Sequence, residues 1–154
     1  MTRVEKLQLF IHETLYESMT NPDQFSKWIA HLHGVALAAA MFAKKRGEDP
    51  EVAAMAGLLH DVYAYKIGTY EDHAHRGADY ARIVLEEMNV ASEEEIALIY
   101  SAIYHHDDDD MNGSAMDEIL KDADMIHHAL GDPSKEWYAK KLERYQRLCS
   151  EFGV

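Results

Sequence analysis

From end to end, apolar residues recur three and four positions apart between repeated helix-start and helix-stop signals, and no segment alternates as a strand does. That pattern restricts the chain to an all-α fold. A first helix is expected over roughly Arg3 to Met19. Asn21-Pro22-Asp23-Gln24 reads as a cap, a proline at the first helical position and a capping-box partner. The second helix then runs to about Lys45, with Gly47 as its stop. Asp49-Pro50-Glu51 opens a third helix, and a fourth spans about His73 to Asn89. Ser92-Glu93-Glu94-Glu95 caps a fifth that ends near His106, Ser114 opens a sixth, and Asp132-Pro133 opens a last one that finishes by Gly153. With 154 residues and no linker or composition break, the expectation is a single domain, 1–154, built as a bundle of about six to seven helices.

The third helix carries most of the chemical information. Val52 to Leu59 is apolar almost all round, which marks a buried helix, and it leads directly into His60-Asp61. A carboxylate at the end of a buried helix is costly unless it is paired, hydrogen-bonded or bound to metal. The doublet alone leaves two readings: a metal-ligating pair, or a pair that caps local backbone groups. In the second helix, His31 lies within the stripe Trp28, Leu32, Val35, Ala39 and Phe42, whereas His33 falls roughly 200° round from it. In the sixth helix, periodicity does not choose between Asp122 and Asp124, which flank opposite edges of the stripe Met116, Ile119, Leu120, Ala123 and Ile126.

Histidine is abundant, with 10 residues, several of them in close pairs. Phase separates the members. His73 sits at the edge of the stripe Ala74, Gly77, Ala78, Ala81, while His75 points away. His106 shares the face of Ile96, Ile99 and Ile103, and His105 lies off it. His127 projects inward, and His12, His33 and His75 read as surface residues.

His31-Leu32-His33-Gly34-Val35, Ala56-Gly57-Leu58-Leu59-His60-Asp61 and Ala123-Asp124, in that order, resemble the HD superfamily of metal-dependent phosphohydrolases over about residues 28–128. The resemblance selects Asp124 over Asp122 and implies a metal held by His31, His60, Asp61 and Asp124. His73-Ala74-His75-Arg76-Gly77-Ala78 and His105-His106 resemble the further histidines of two-metal branches, which implies a second ion on His73 and His106 with Asp61 bridging. Imidazole and carboxylate together suit iron, manganese, zinc or nickel. His60 and Asp61 are then the catalytic centre, with the metal activating water against a phosphoryl group.

Lys66, Arg76 and Lys121 are candidates to hold phosphate, Lys66 foremost and with a catalytic role. His105 and His127 are further substrate-side candidates, and Tyr63 and Tyr65 are candidates to stack on a base. The superfamily implies a small phosphorylated substrate, here expected to be a nucleotide, and the spacing looks closest to its dinucleoside-polyphosphate hydrolases. The Gly-Tyr-Pro signature of its cyclic-dinucleotide phosphodiesterases is absent after His105-His106. A di-iron oxygenase and a non-catalytic metal-containing module are the alternatives.

A net charge of -13 argues against nucleic acid or an anionic membrane as partner, and no apolar run approaches a membrane span. With Cys149 as the sole cysteine, no intrachain disulfide is possible, and a reducing, cytoplasmic setting is expected. Asp107 to Asp110 reads as a solvated acidic turn. The last helix, 133–152, with Trp137, Tyr138, Leu142, Tyr145 and Leu148, reads as a packing or homodimer face.

Overall fold

In the computed structural model, residues 1–132, 134 and 139–154 are described. They form eight helices: α1 (Arg3–Ser18), α2 (Pro22–Arg46), α3 (Pro50–Leu59), α4 (Val62–Ile67), α5 (His73–Met88), α6 (Glu93–His105), α7 (Ala115–Gly131) and α8 (Ala139–Phe152). Trp137 and Tyr138 lie outside the described residues.

The start signals act as their chemistry dictates. Thr2 with Glu5, Ser92 with Glu95, and Ser114 with Asp117 each complete a reciprocal capping box. Asn21 caps α2 by accepting from the Gln24 amide, but the Gln24 side chain reaches back one residue further than expected, to the Thr20 amide. Gly47 ends α2 at φ 80°, a left-handed conformation that a Cβ disfavours.

One departure from the sequence reading positions the site. The apolar third helix stops at Leu59, His60 and Asp61 form a turn, and the chain restarts as the six-residue α4. Tyr63 to Lys66 gave no start signal of their own, because α4 opens on Asp61 without a side-chain cap.

Helix α3 is the centre of the bundle, with Val52, Ala53, Met55, Ala56, Leu58 and Leu59 all at 1% exposure or less. Its closest partner is α2, and the approach depends on Gly57. A Cβ there would stand 2.7 Å from the Ala36 Cα and 2.8 Å from the Ala36 N, both backbone atoms. Helix α7 packs on α2 and α6, α5 pairs with α6, and α1 covers α3 and α4. Leu148 of α8 is buried, and the Phe152 ring meets Phe42 at 5.0 Å, while Leu142 stays 42% exposed.

Candidate metal centre

Where α2, the α3–α4 turn, α5, α6 and α7 converge, six side chains point at one another. His31 comes from α2, His60 and Asp61 from the turn, and His73 from the first position of α5. His106 follows the end of α6, and Asp124 sits in mid-α7. His60, Asp61, His31 and His106 are all at 7% exposure or less, and the His73 side chain is at 15%. Both histidines of the second pair are therefore sheltered rather than solvent-exposed helix ends.

The ring orientations are set by backbone. The Nδ1–H groups of His60, His73 and His106 donate to the carbonyls of Gly57 (2.8 Å), Tyr70 (3.0 Å) and Ile103 (2.6 Å), in each case three residues back. Each Nε2 therefore faces inward and, when it carries no proton, presents the lone pair a metal ligand needs. His31 has a different outer partner: its Nδ1 lies 2.9 Å from Nδ1 of His127. The His127 ring rests over Gly34, where a Cβ would stand 2.2 Å from the ring.

Asp61 makes no helix-cap hydrogen bond, so the backbone-capping reading of the doublet fails for the carboxylate. Its two oxygens face different partners instead. Oδ2 stands 3.4 Å from His60 Nε2 and 3.7 Å from His31 Nε2, while Oδ1 stands 3.6 Å from His106 Nε2 and 3.7 Å from His73 Nε2. Asp124 Oδ1 lies 3.2 Å from His31 Nε2 and 3.5 Å from His60 Nε2. Despite these neighbours, Asp61 Oδ1 and Asp124 Oδ1 are buried with no hydrogen bond. Buried carboxylate oxygens without donors are costly, and a cation between them and the ring nitrogens removes that cost. The donor set suits a transition metal, and the groups that could hold one include His31–His60–Asp61 and Asp61–His73–His106, which have Asp61 in common.

The electrostatics agree. Burial would raise the pKa of Asp61, but the charge of His60 and the close approach of His106 hold it well below the usual carboxylate range. Asp124 is likewise held low, against burial, by His128, His31 and His60. Among the imidazoles, burial lowers the His31 pKa, whereas for His60 the two carboxylates overcome burial and raise it. The pair stands 3.1 Å apart, Nε2 to Nε2, and adjacent rings do not readily charge together. The site thus stays anionic and calls for positive charge.

The basic candidates sit elsewhere. Lys66 is exposed, with its Nζ 5.2 Å from the centre of the Tyr80 ring. Arg76 is half exposed and faces Asp72 at 3.8 Å. Lys121 is buried but donates to the Met111 carbonyl (2.6 Å) and Glu118 (3.1 Å), so it anchors the loop before α7. None of the three pairs with Asp61 or Asp124. His105 turns outward to Asp108 at 3.0 Å. Tyr65, a candidate to stack on a base, is buried and already stacked on Trp28, with centroids 5.1 Å apart at 9°. The Tyr63 ring lies 6.2 Å from that of Tyr80.

Two residues join the site that the sequence reading passed over. Tyr70 makes ring contacts with both Tyr65 and His73. His128 brings Nε2 to 3.3 Å from Asp124 Oδ1; its position four residues after Asp124, one helical turn, was the available signal. A cleft of about 170 Å³ opens beside His73, walled by Tyr70, Tyr104, His75, Asp72, Asp107 and Asp108.

The sequence model of the HD domain matches residues 28–129, which contain all six clustered residues. YueE of Bacillus subtilis (strain 168), named for an inferred phosphohydrolase activity, is 25% identical over an alignment covering 98% of this chain and 95% of YueE. The crystal structure of a predicted HD superfamily hydrolase from an uncultured Thermotogales bacterium superposes with a TM-score of 0.61. It is 26% identical, covering 93% of this chain and 87% of that one.

Proposed function

The chain belongs to the HD domain family, and from that premise we propose that it is a metal-dependent phosphohydrolase acting on a small phosphate ester, of the nucleotide class, through two divalent transition-metal ions. The observation that carries the reading is the division of Asp61, a buried residue whose two carboxylate oxygens face two separate imidazole pairs. The names of the two relatives, phosphohydrolase and hydrolase, support the reaction class.

His31, His60, Asp61 and Asp124 would hold one ion, and His73 and His106 the other, with Asp61 shared. Bound there, the metals would supply a water acidic enough to ionise near neutral pH and would polarise the phosphoryl oxygens. The protein's own contribution is positioning. The three carbonyl-anchored imidazoles cannot turn without losing a hydrogen bond, a buried one for His60 and His106, and His127 orients His31 in the same way. Tyr65 keeps its phenol proton, since burial and the nearby Asp61 charge push its pKa up, and its ring meets that of Tyr70 edge-on at the edge of the site. With no lysine or arginine of the expected set pairing at the cluster, phosphate would be held chiefly by the metals. The stacked Tyr104 and His75, 4.0 Å apart, offer an aromatic wall for the organic part of the ester.

The test is elemental analysis joined to phosphate release from a panel of nucleotides and other phosphate esters. Two metal equivalents and phosphate release that disappears in Asp61→Ala are expected. Full metal loading with no phosphate released from any ester refutes the reading. Oxygen uptake in that case identifies the di-iron oxygenase, and its absence the non-catalytic module.

A further inference from the structure

The six-residue set does not account for His128. Three imidazole Nε2 atoms converge on a single oxygen, Asp124 Oδ1: His31 at 3.2 Å, His128 at 3.3 Å and His60 at 3.5 Å. That oxygen is buried and none of the three is oriented to hydrogen-bond it. Three imidazole nitrogens gathered round one oxygen with none aligned to donate to it is the geometry of ligands about a shared cation, not of a hydrogen-bond network. The donor atoms of His31, Asp124 and His128 also lie within 4.8 Å of one another, and the His128 ring stands 4.7 Å from that of His31. The His128 side chain is 45% exposed, so its ring lies at the solvent side of this group.

We propose that His128 is a further protein ligand of the ion held by His31, His60, Asp61 and Asp124. This rests on the two-ion reading above and divides the labour within it. The first position then has five protein donors and the second has three, Asp61, His73 and His106, with Asp61 common to both. A position with five donors keeps little room for water or substrate, whereas one with three keeps several open sites. The first ion is therefore the tightly held one, and the second, which adjoins the cleft beside His73, is the one that exchanges and meets substrate.

The whole protein loaded with cobalt(II) separates the outcomes. Proton NMR counts the imidazoles bound directly to cobalt by their contact-shifted ring resonances, and chelator competition gives the affinity of each equivalent. The wild type is expected to show five bound imidazoles. His128→Gln, which keeps a hydrogen-bonding side chain, should show four, with the first equivalent weakened at least about tenfold and the second unchanged. Four bound imidazoles in both proteins overturn the proposal, even if affinity falls, because His128 would then only steady Asp124. A wild type that shows no shifted imidazole refutes the two-ion reading itself and the proposal with it.

Discussion

Gly57→Ala is the sharpest test of how the fold spaces the proposed ligands. The added Cβ would meet the Ala36 Cα at 2.7 Å, the Ala36 N at 2.8 Å and the Val35 carbonyl carbon at 3.1 Å. Carbon atoms in contact prefer about 3.5–4.0 Å, so α2 and α3 must part by roughly 1 Å, and no side-chain rotation relieves the clash. Overpacking of this kind costs about 1–3 kcal/mol, and the better helix propensity of alanine returns about 1 kcal/mol. A net loss of up to about 2 kcal/mol lowers the melting temperature by up to roughly 8 °C for a domain of this size. The same displacement separates His31 on α2 from His60 at the end of α3, whose Nε2 atoms are 3.1 Å apart. Metal affinity should therefore fall at least about tenfold, since ligands tolerate only about 0.5 Å of misplacement. Thermal melts and chelator competition measure both effects. Gly47→Ala is the control: it forces alanine to φ 80° in open space, costing about 1 kcal/mol, far from the ligands. Gly57→Ala with unchanged metal affinity would refute the claim that the α2–α3 approach sets the ligand spacing.

Metal counting on His73→Ala and on His106→Ala should show one equivalent lost in each, and a full complement in either would reduce the site to one ion. Metal uptake at pH 7 should release at least one proton, readable by calorimetry in buffers of different ionisation enthalpy. The carboxylates raise the His60 pKa above 6.5 in the metal-free protein, so its proton must leave as metal enters, and affinity rises with pH. By the same sign, the His60 contribution to metal-free stability is complete below pH 6.5 and fades as pH climbs through the raised value, which a pH series of melts checks. Lys121→Met should destabilise by about 1–3 kcal/mol, by stranding the Met111 carbonyl and a Glu118 contact, while leaving metal stoichiometry at the wild-type value. Lys66→Ala should leave phosphate release within about twofold of wild type; a loss beyond tenfold would restore it as a phosphate-holding group.

Helix boundaries, caps and inward faces were legible in the sequence because they are local. Residues advance about 100° per position, so the phases of His31, His73, His106 and His127 follow from their neighbours alone. The burial of 52–59 likewise announced that His60-Asp61 stands at the end of a core helix. Phase did not separate Asp122 from Asp124. Tertiary packing does, because Asp122 turns to Arg46 and Arg144 while Asp124 meets His31 and His60. Nor is the reach of a long side chain a local property. Lys66, Arg76 and Lys121 lie near the motifs in sequence, yet each is engaged elsewhere: Arg76 by Asp72 one turn away, Lys66 and Lys121 by Tyr80 and the Met111 carbonyl, which the fold brings close. Sequence therefore determined which side chains turn inward. The close α2–α3 approach over Gly57 and the break of the chain at His60-Asp61 decided the rest: that Asp61 faces two imidazole pairs, and that His128 arrives beside Asp124.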